Sequence, residues 1–119
     1  MSEERTKLMP PSGSAFLFSL AAHVFSDLGL DGWKVRTGVD TWCDNHRREI
    51  CISDGTIEGE PWYYVKELFL HEVAHVGETR PGSVQTHDAA FFRRLGELFI
   101  RFADFEQNAE NQALTRERQ

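Results

Sequence analysis

The sequence is poor in the residues that mark several large classes of protein. Its 119 residues include only two cysteines, Cys43 and Cys51, which are too few for a disulfide framework and do not form a C-x-x-C pair. The longest apolar run falls far short of the roughly 20 residues that a membrane-spanning helix needs. We therefore expect two free thiols rather than a disulfide, and no membrane-spanning segment.

Basic residues are also in the minority, with 13 lysines and arginines against 19 acidic residues and a net charge of −6. This balance gives no overall attraction to nucleic acids or anionic membranes. A local basic patch around Arg36, Arg47 and Arg48 is the exception, so we expect DNA binding to be weak or absent.

Residues 15–25 are as apolar as the core of a signal peptide, but the preceding segment lacks a positive excess. The expected location is cytoplasmic.

The chain divides by composition into an arm, one domain and a tail. Residues 1–13 are polar and contain two prolines, which predicts a flexible N-terminal arm, and residues 106–119 form a polar C-terminal tail. Residues 14–105 are long enough for one domain with its own core. The patterns within it predict an α+β fold, in which three main helices pack on a small antiparallel sheet.

The first half of the domain predicts a helix followed by a hairpin. Apolar residues recur on one stripe from Ser14 to Leu28, and Gly29 is a suitable stop for that helix. Residues 33–39 and 49–53 alternate between apolar and polar, which predicts two antiparallel strands joined by a turn at 43–49. Residues 54–61 are expected to form a loop, with a short extended piece around Ile57.

The second half predicts two longer helices. The first begins at Pro61, runs to about Val76 and is closed by Gly77. A loop follows at 77–85. Thr86 is the expected N-cap of the last helix, whose apolar stripe reaches about Phe105.

Two histidines with a glutamate between them stand in an otherwise apolar helix. His71, Glu72 and His75 form the pattern H-E-x-x-H. Residues four apart share one face of a helix, with Cβ atoms roughly 6 Å apart, so both imidazoles can reach one metal ion. Glu72 is rotated by about 100° around the helix axis, which suits a bound water better than the metal. The pattern predicts the helix of a zinc hydrolase, with Zn²⁺ as its cofactor.

A third ligand must come from elsewhere, because a catalytic zinc usually has three protein ligands and one open position. His87 is the first candidate, since it follows His75 across a loop that contains two glycines and a proline. Glu97 and Glu78 are the alternatives. Glu78 is so close to His75 in sequence that its reach is constrained.

The segments HEVAHV and THDAAFFRRL resemble the SprT-like zinc metallopeptidases, a family that includes the Spartan-type proteases of DNA–protein crosslinks. In that family a third histidine opens the next helix, and an aromatic residue commonly follows four positions later, as His87 and Phe91 do here. The resemblance covers about residues 14–105. It implies a minimal zincin fold whose sheet edge holds an extended peptide, with His71, His75 and His87 as zinc ligands and Glu72 as general base.

The implied function is a metallopeptidase that hydrolyses a protein or peptide substrate through a zinc-bound water. Tyr63, Tyr64, Arg80 and His46 are candidates for the donor that stabilises the oxyanion. The alternative is a zinc-stabilised protein-binding or regulatory domain without general protease activity, in which Asp88 or a cysteine fills the fourth metal position. The glutamate between the histidines favours the peptidase, because a structural site needs no base.

Overall fold

Four helices and a three-stranded sheet make up residues 13–78 and 87–105, the parts of the chain that the computed structural model describes. In chain order the elements are α1 (Gly13–Leu28), β1 (Lys34–Gly38), β2 (Trp42–Asp44), β3 (Glu49–Ser53), α2 (Asp54–Gly59), α3 (Trp62–Val73) and α4 (Ala89–Arg101). The α+β class is confirmed. The arm expected at 1–13, apart from Gly13, and the tail expected at 106–119 lie outside the described residues.

Helix α1 forms where the apolar periodicity predicts it. Its apolar stripe lies in the core, with Phe16, Leu17, Leu20, Ala21 and Val24 all buried. Gly29 follows the helix with φ +66°, a left-handed conformation that favours glycine, so the predicted stop is confirmed.

The sheet corrects the prediction of one antiparallel hairpin. β1 pairs with β3 in parallel, with Val35 opposite Ile50, whereas β2 pairs with β3 antiparallel. The order across the sheet is β1-β3-β2. After β1 the chain passes to the far side of β3, forms β2 there and returns through the turn at 45–48. The hairpin therefore joins β2 to β3, and residues 43 and 44, expected in the turn, belong to a strand.

A side-chain cap closes the hairpin turn. Asp44 Oδ1 accepts hydrogen bonds from the backbone N–H groups of His46 and Arg47, at 2.9 and 3.0 Å. These hydrogen bonds hold the pKa of Asp44 below its usual value. Arg48 completes the turn in a left-handed conformation with φ +58°. The turn leads the chain directly into β3, whose Ile50 and Ile52 are fully buried.

The loop predicted at residues 54–61 is wrong, because Asp54–Gly59 form the short helix α2. Ser53 is its N-cap, and the serine hydroxyl accepts a hydrogen bond from the backbone N–H of Thr56. The glycines at positions 55 and 59 lower the helix propensity of this segment, which made it resemble a loop in the sequence. Capping at Ser53 outweighs that deficit.

The hydrophobic core lies between α1, α3 and the inner face of the sheet. Its α3 members include Val65, Phe69 and Leu70, and Phe102, the C-cap of α4, also belongs to it. Both cysteines are buried and neither forms a disulfide, as predicted. None of the helices in the described parts of the chain has the length and apolar character that crossing a membrane requires.

Candidate metal centre

Helix α3 and the turn that follows it carry the first two histidines at the edge of the core. His75 is 2% exposed, Glu72 is also buried, and His71 is half-buried. Regular helix ends at Val73, and residues 74–77 continue as a turn up to Gly77, whose φ is +86°. The predicted end of this helix near Val76 is therefore a turn, and His75 lies just beyond the last regular residue.

His87 lies just before α4 rather than on its first turn, which corrects the sequence prediction. The N-cap of α4 is Asp88, whose carboxylate accepts a hydrogen bond of 2.9 Å from the backbone N–H of Phe91. Thr86, the expected N-cap, lies outside the described residues. Because His87 precedes the cap, its exposed side chain turns towards α3.

The three imidazoles come together in what we call the histidine cluster, His71, His75 and His87. One nitrogen from each ring lies within 4.8 Å of the other two. The Nε2 atoms of His71 and His87 are 3.1 Å apart. Two nitrogens bound tetrahedrally to one zinc at 2.0–2.1 Å would be about 3.3 Å apart. The three rings are close enough to bind one metal ion.

Two reciprocal clamps fix α4 against α3 and so set the position of His87. Lys66 of α3 donates to the carbonyl oxygens of Phe102 and Ala103 at the end of α4, at 3.1 and 3.2 Å. Arg94 of α4 donates through Nε to the carbonyl oxygen of Ala74 at the end of α3, at 2.9 Å. The helices therefore run antiparallel, and each side chain donates to carbonyl groups at the end of the other helix.

Phe91 forms an apolar wall behind the histidine cluster. The ring is fully buried and stacks on His75 with a centroid distance of 4.5 Å and an angle of 26° between the planes. Its centroid is also 5.0 Å from that of His71 and 4.6 Å from that of His87. One side chain thus contacts all three imidazoles and limits their rotation.

The electrostatics of the site favour a neutral His71 and make the neighbouring carboxylate of Glu72 costly to ionise. Burial, and then the neighbouring His75 and His87, lower the pKa of His71. Burial, with a further contribution from Glu78, raises the pKa of Glu72 to about 7. Neutral imidazoles have the lone pair that metal binding requires. A cation placed at the cluster would favour the ionised form of Glu72.

Sequence reasoning missed a network that ties His75 to the rest of the fold. His75 Nδ1 is hydrogen-bonded to Glu78 Oε1, and an Arg94 nitrogen lies 3.7 Å from the same oxygen. Asn45, in the hairpin turn, donates to the His75 carbonyl at 2.9 Å and accepts from the Gly77 N–H at 2.7 Å. The turn between β2 and β3 thus caps the turn that ends α3.

The other ligand candidates do not join the histidine cluster. Among the described residues, no aspartate, glutamate or cysteine belongs to the group. Glu97 is exposed and lines a separate cavity of about 270 Å³ with Val73 and Leu98. Asp88 caps α4, and Cys43 is a buried thiol whose pKa is raised to about 12 by burial and then by Glu72.

The predicted oxyanion donors remain unassigned. Tyr63 and Tyr64 are exposed near the start of α3, and His46 is exposed in the hairpin turn. Arg80 lies outside the described residues. In the part of the chain that the structure describes, no hydrogen bond or ring contact joins the first three to the histidine cluster.

Replacing Asn45 with alanine should lower the free energy of unfolding by about 1–3 kcal/mol, because its hydrogen bonds to the His75 carbonyl and the Gly77 N–H are both lost and a typical hydrogen bond contributes about 0.5–1.5 kcal/mol. Urea unfolding followed by circular dichroism measures the change. His46→Ala is the matched control, since the neighbouring side chain is exposed, and it should shift stability by no more than about 0.5 kcal/mol. Equal stability of the two variants would show that the Asn45 cap contributes little.

Models of protein families, curated proteins and solved structures all gave no match. The resemblance to SprT-like metallopeptidases therefore depends on the histidine pattern and its surroundings alone.

Proposed function

We propose that the chain is a zinc-dependent metallopeptidase of SprT-like type, with His71, His75 and His87 as ligands and Glu72 as general base. The observation that carries the proposal is the convergence of three imidazoles beside a buried glutamate that no salt bridge neutralises among the described residues. A buried carboxylate costs free energy unless a positive charge offsets it. A dication held by the three rings would provide that charge.

The donor set fits zinc better than the other common divalent ions. Three imidazole nitrogens without a carboxylate suit zinc, whereas calcium and magnesium prefer oxygen ligands. The absence of a fourth protein donor from the cluster in the described residues leaves one position for water or substrate. That arrangement is typical of catalytic rather than structural zinc sites.

The proposed mechanism assigns one task to each group of residues. Bound zinc would supply a Lewis acid and lower the pKa of the water it holds. The histidine cluster would hold the zinc, and the Phe91 ring keeps water away from the side of the cluster that faces the core. Glu72 accepts the proton of the attacking water and returns it to the leaving amine as the peptide bond breaks. The substrate in this proposal is an extended protein or peptide.

The rival function, a zinc-stabilised binding domain, would need a fourth protein ligand. Neither kind of residue considered for that position is available: Asp88 caps α4, and neither cysteine belongs to the cluster.

Duplex DNA is not proposed as a partner. Of the basic patch, Arg36 lies 3.9 Å from Glu49 and Arg47 lies 3.8 Å from Asp44, so nearby carboxylates offset part of its charge.

The proposal predicts metal-dependent peptide cleavage. The zinc-loaded protein should cut unfolded proteins or its own ends, residues 1–13 and 106–119, and a chelator should stop the reaction. Intact-mass spectrometry at high protein concentration detects self-cleavage, and casein-like substrates test cleavage of other chains. Identical mass profiles with zinc and with chelator across all these substrates would favour the binding domain.

A further inference from the structure

We propose that Glu78 is the positioning residue of the metal centre, fixing the tautomer and orientation of His75 so that Nε2 faces the metal. The inference rests on the proposed zinc site and adds a residue that the H-E-x-x-H pattern does not contain. Its starting point is the hydrogen bond between Glu78 Oε1 and His75 Nδ1.

The hydrogen bond determines which ring nitrogen can bind a metal. A carboxylate oxygen only accepts, so the proton of a neutral His75 ring must be on Nδ1. The lone pair is then on Nε2, the other nitrogen of the ring. Histidine ligands of metals commonly donate their second N–H to a carboxylate or carbonyl, which fixes the ring and makes it a better ligand.

The placement of Glu78 is built by contacts from three elements. It follows the left-handed residue Gly77, which turns the chain back towards the ring of His75. Asn45 holds that turn from the sheet side through its hydrogen bonds to Gly77 and His75. Arg94 lies on the α4 side, 3.7 Å from Glu78 Oε1. The side chain of Glu78 is therefore held, with only 11% of its surface exposed.

The burial of Glu78 is costly unless a metal is bound nearby. Its second oxygen, Oε2, is buried and has no hydrogen-bond partner among the described residues. One imidazole N–H, on the other oxygen, and a partly exposed arginine offset the burial of this carboxylate only in part. A dication on the far nitrogen of His75 would polarise the ring and strengthen its hydrogen bond to Glu78. Glu78 and the metal would then stabilise each other through one imidazole.

The first test measures zinc affinity without any peptide substrate. Glu78→Ala should weaken zinc binding by roughly 10- to 100-fold in competition with a chromophoric chelator. Glu78→Gln should fold and bind with a smaller loss, because its amide oxygen still accepts from Nδ1 but has no negative charge. Glu97→Ala is the matched control, since it removes an exposed carboxylate outside the cluster, and it should bind as the wild type does.

The second test reads the tautomer of His75 directly. Imidazole ¹⁵N shifts of the metal-free protein should place the proton on Nδ1 in the wild type, and Glu78→Ala should lose that preference. Unchanged affinity in both Glu78 variants, or an unchanged tautomer in Glu78→Ala, would overturn the role of Glu78 alone. A wild type that binds no zinc would instead overturn the proposed function and this inference with it. If Glu78→Ala does not fold, the affinity of Glu78→Gln decides.

Discussion

Glu72→Gln should keep the fold and the bound zinc but lose peptide hydrolysis by about 10²–10⁴-fold, the usual contribution of a general base. Glutamine has nearly the same shape, and a neutral amide is easier to bury than the carboxylate, whose pKa burial already raises to about 7. The histidine ligands should therefore stay in place. The amide cannot accept the proton of the attacking water, and only this step should fail.

Three measurements on the same samples separate chemistry from folding. Cleavage is followed by intact mass, zinc by elemental analysis and folding by circular dichroism. Glu67→Gln is the control, because it makes the same substitution at an exposed position of α3. It should cleave at the wild-type rate. If Glu72→Gln cleaved as fast as Glu67→Gln, the proposed mechanism would be wrong whatever the metal content.

Substituting the histidines should remove the metal from a protein that otherwise carries about one zinc per chain. His75→Ala should lose it almost completely, because His75 is the buried member of the proposed ligand set and lies between the Phe91 ring and Glu78. His87→Ala should lose most of it, since two imidazoles from one helix leave the ion without its third bond. Elemental analysis after gel filtration measures the zinc that remains.

The control for this series tests the competing choice of ligand. Glu97→Ala should retain its zinc, because Glu97 is exposed and does not belong to the histidine cluster. Loss of zinc from Glu97→Ala together with retention in His87→Ala would show that the third zinc ligand is Glu97 and not His87. The SprT-like assignment would then fail.

Local features of this fold could be predicted from the sequence because local spacing determines them. The apolar stripe of α1 follows the helical repeat, and its glycine stop follows from backbone sterics at Gly29. The pairing of His71 with His75 needs only the four-residue spacing on α3. The sequence predicts His87 as a member of the cluster because a catalytic zinc needs a third ligand. Its position before the N-cap could not be predicted, because Thr86 was as suitable a cap as Asp88.

Features that depend on distant contacts could not be predicted. β2 has only three residues, so its alternation is too short to separate it from the turn, and without it β1 and β3 looked like neighbours in a hairpin. Asn45 is 30 positions from His75 in the sequence, and Arg94 is 20 positions from Ala74, yet each donates a hydrogen bond to that residue's carbonyl at the end of α3. Glu78 did offer a local signal, three positions after His75 on the last turn, but its role depends on the turn at Gly77.

X-ray absorption at the zinc edge of the loaded wild-type protein tests the metal centre most directly. The account predicts a first shell of only nitrogen and oxygen at about 2.0–2.1 Å, with the multiple-scattering signature of three imidazoles and one further light atom from water. Chloride-free buffer excludes the common exogenous ligand. A sulfur neighbour at about 2.3 Å, or fewer than three imidazoles, would contradict the three-histidine site.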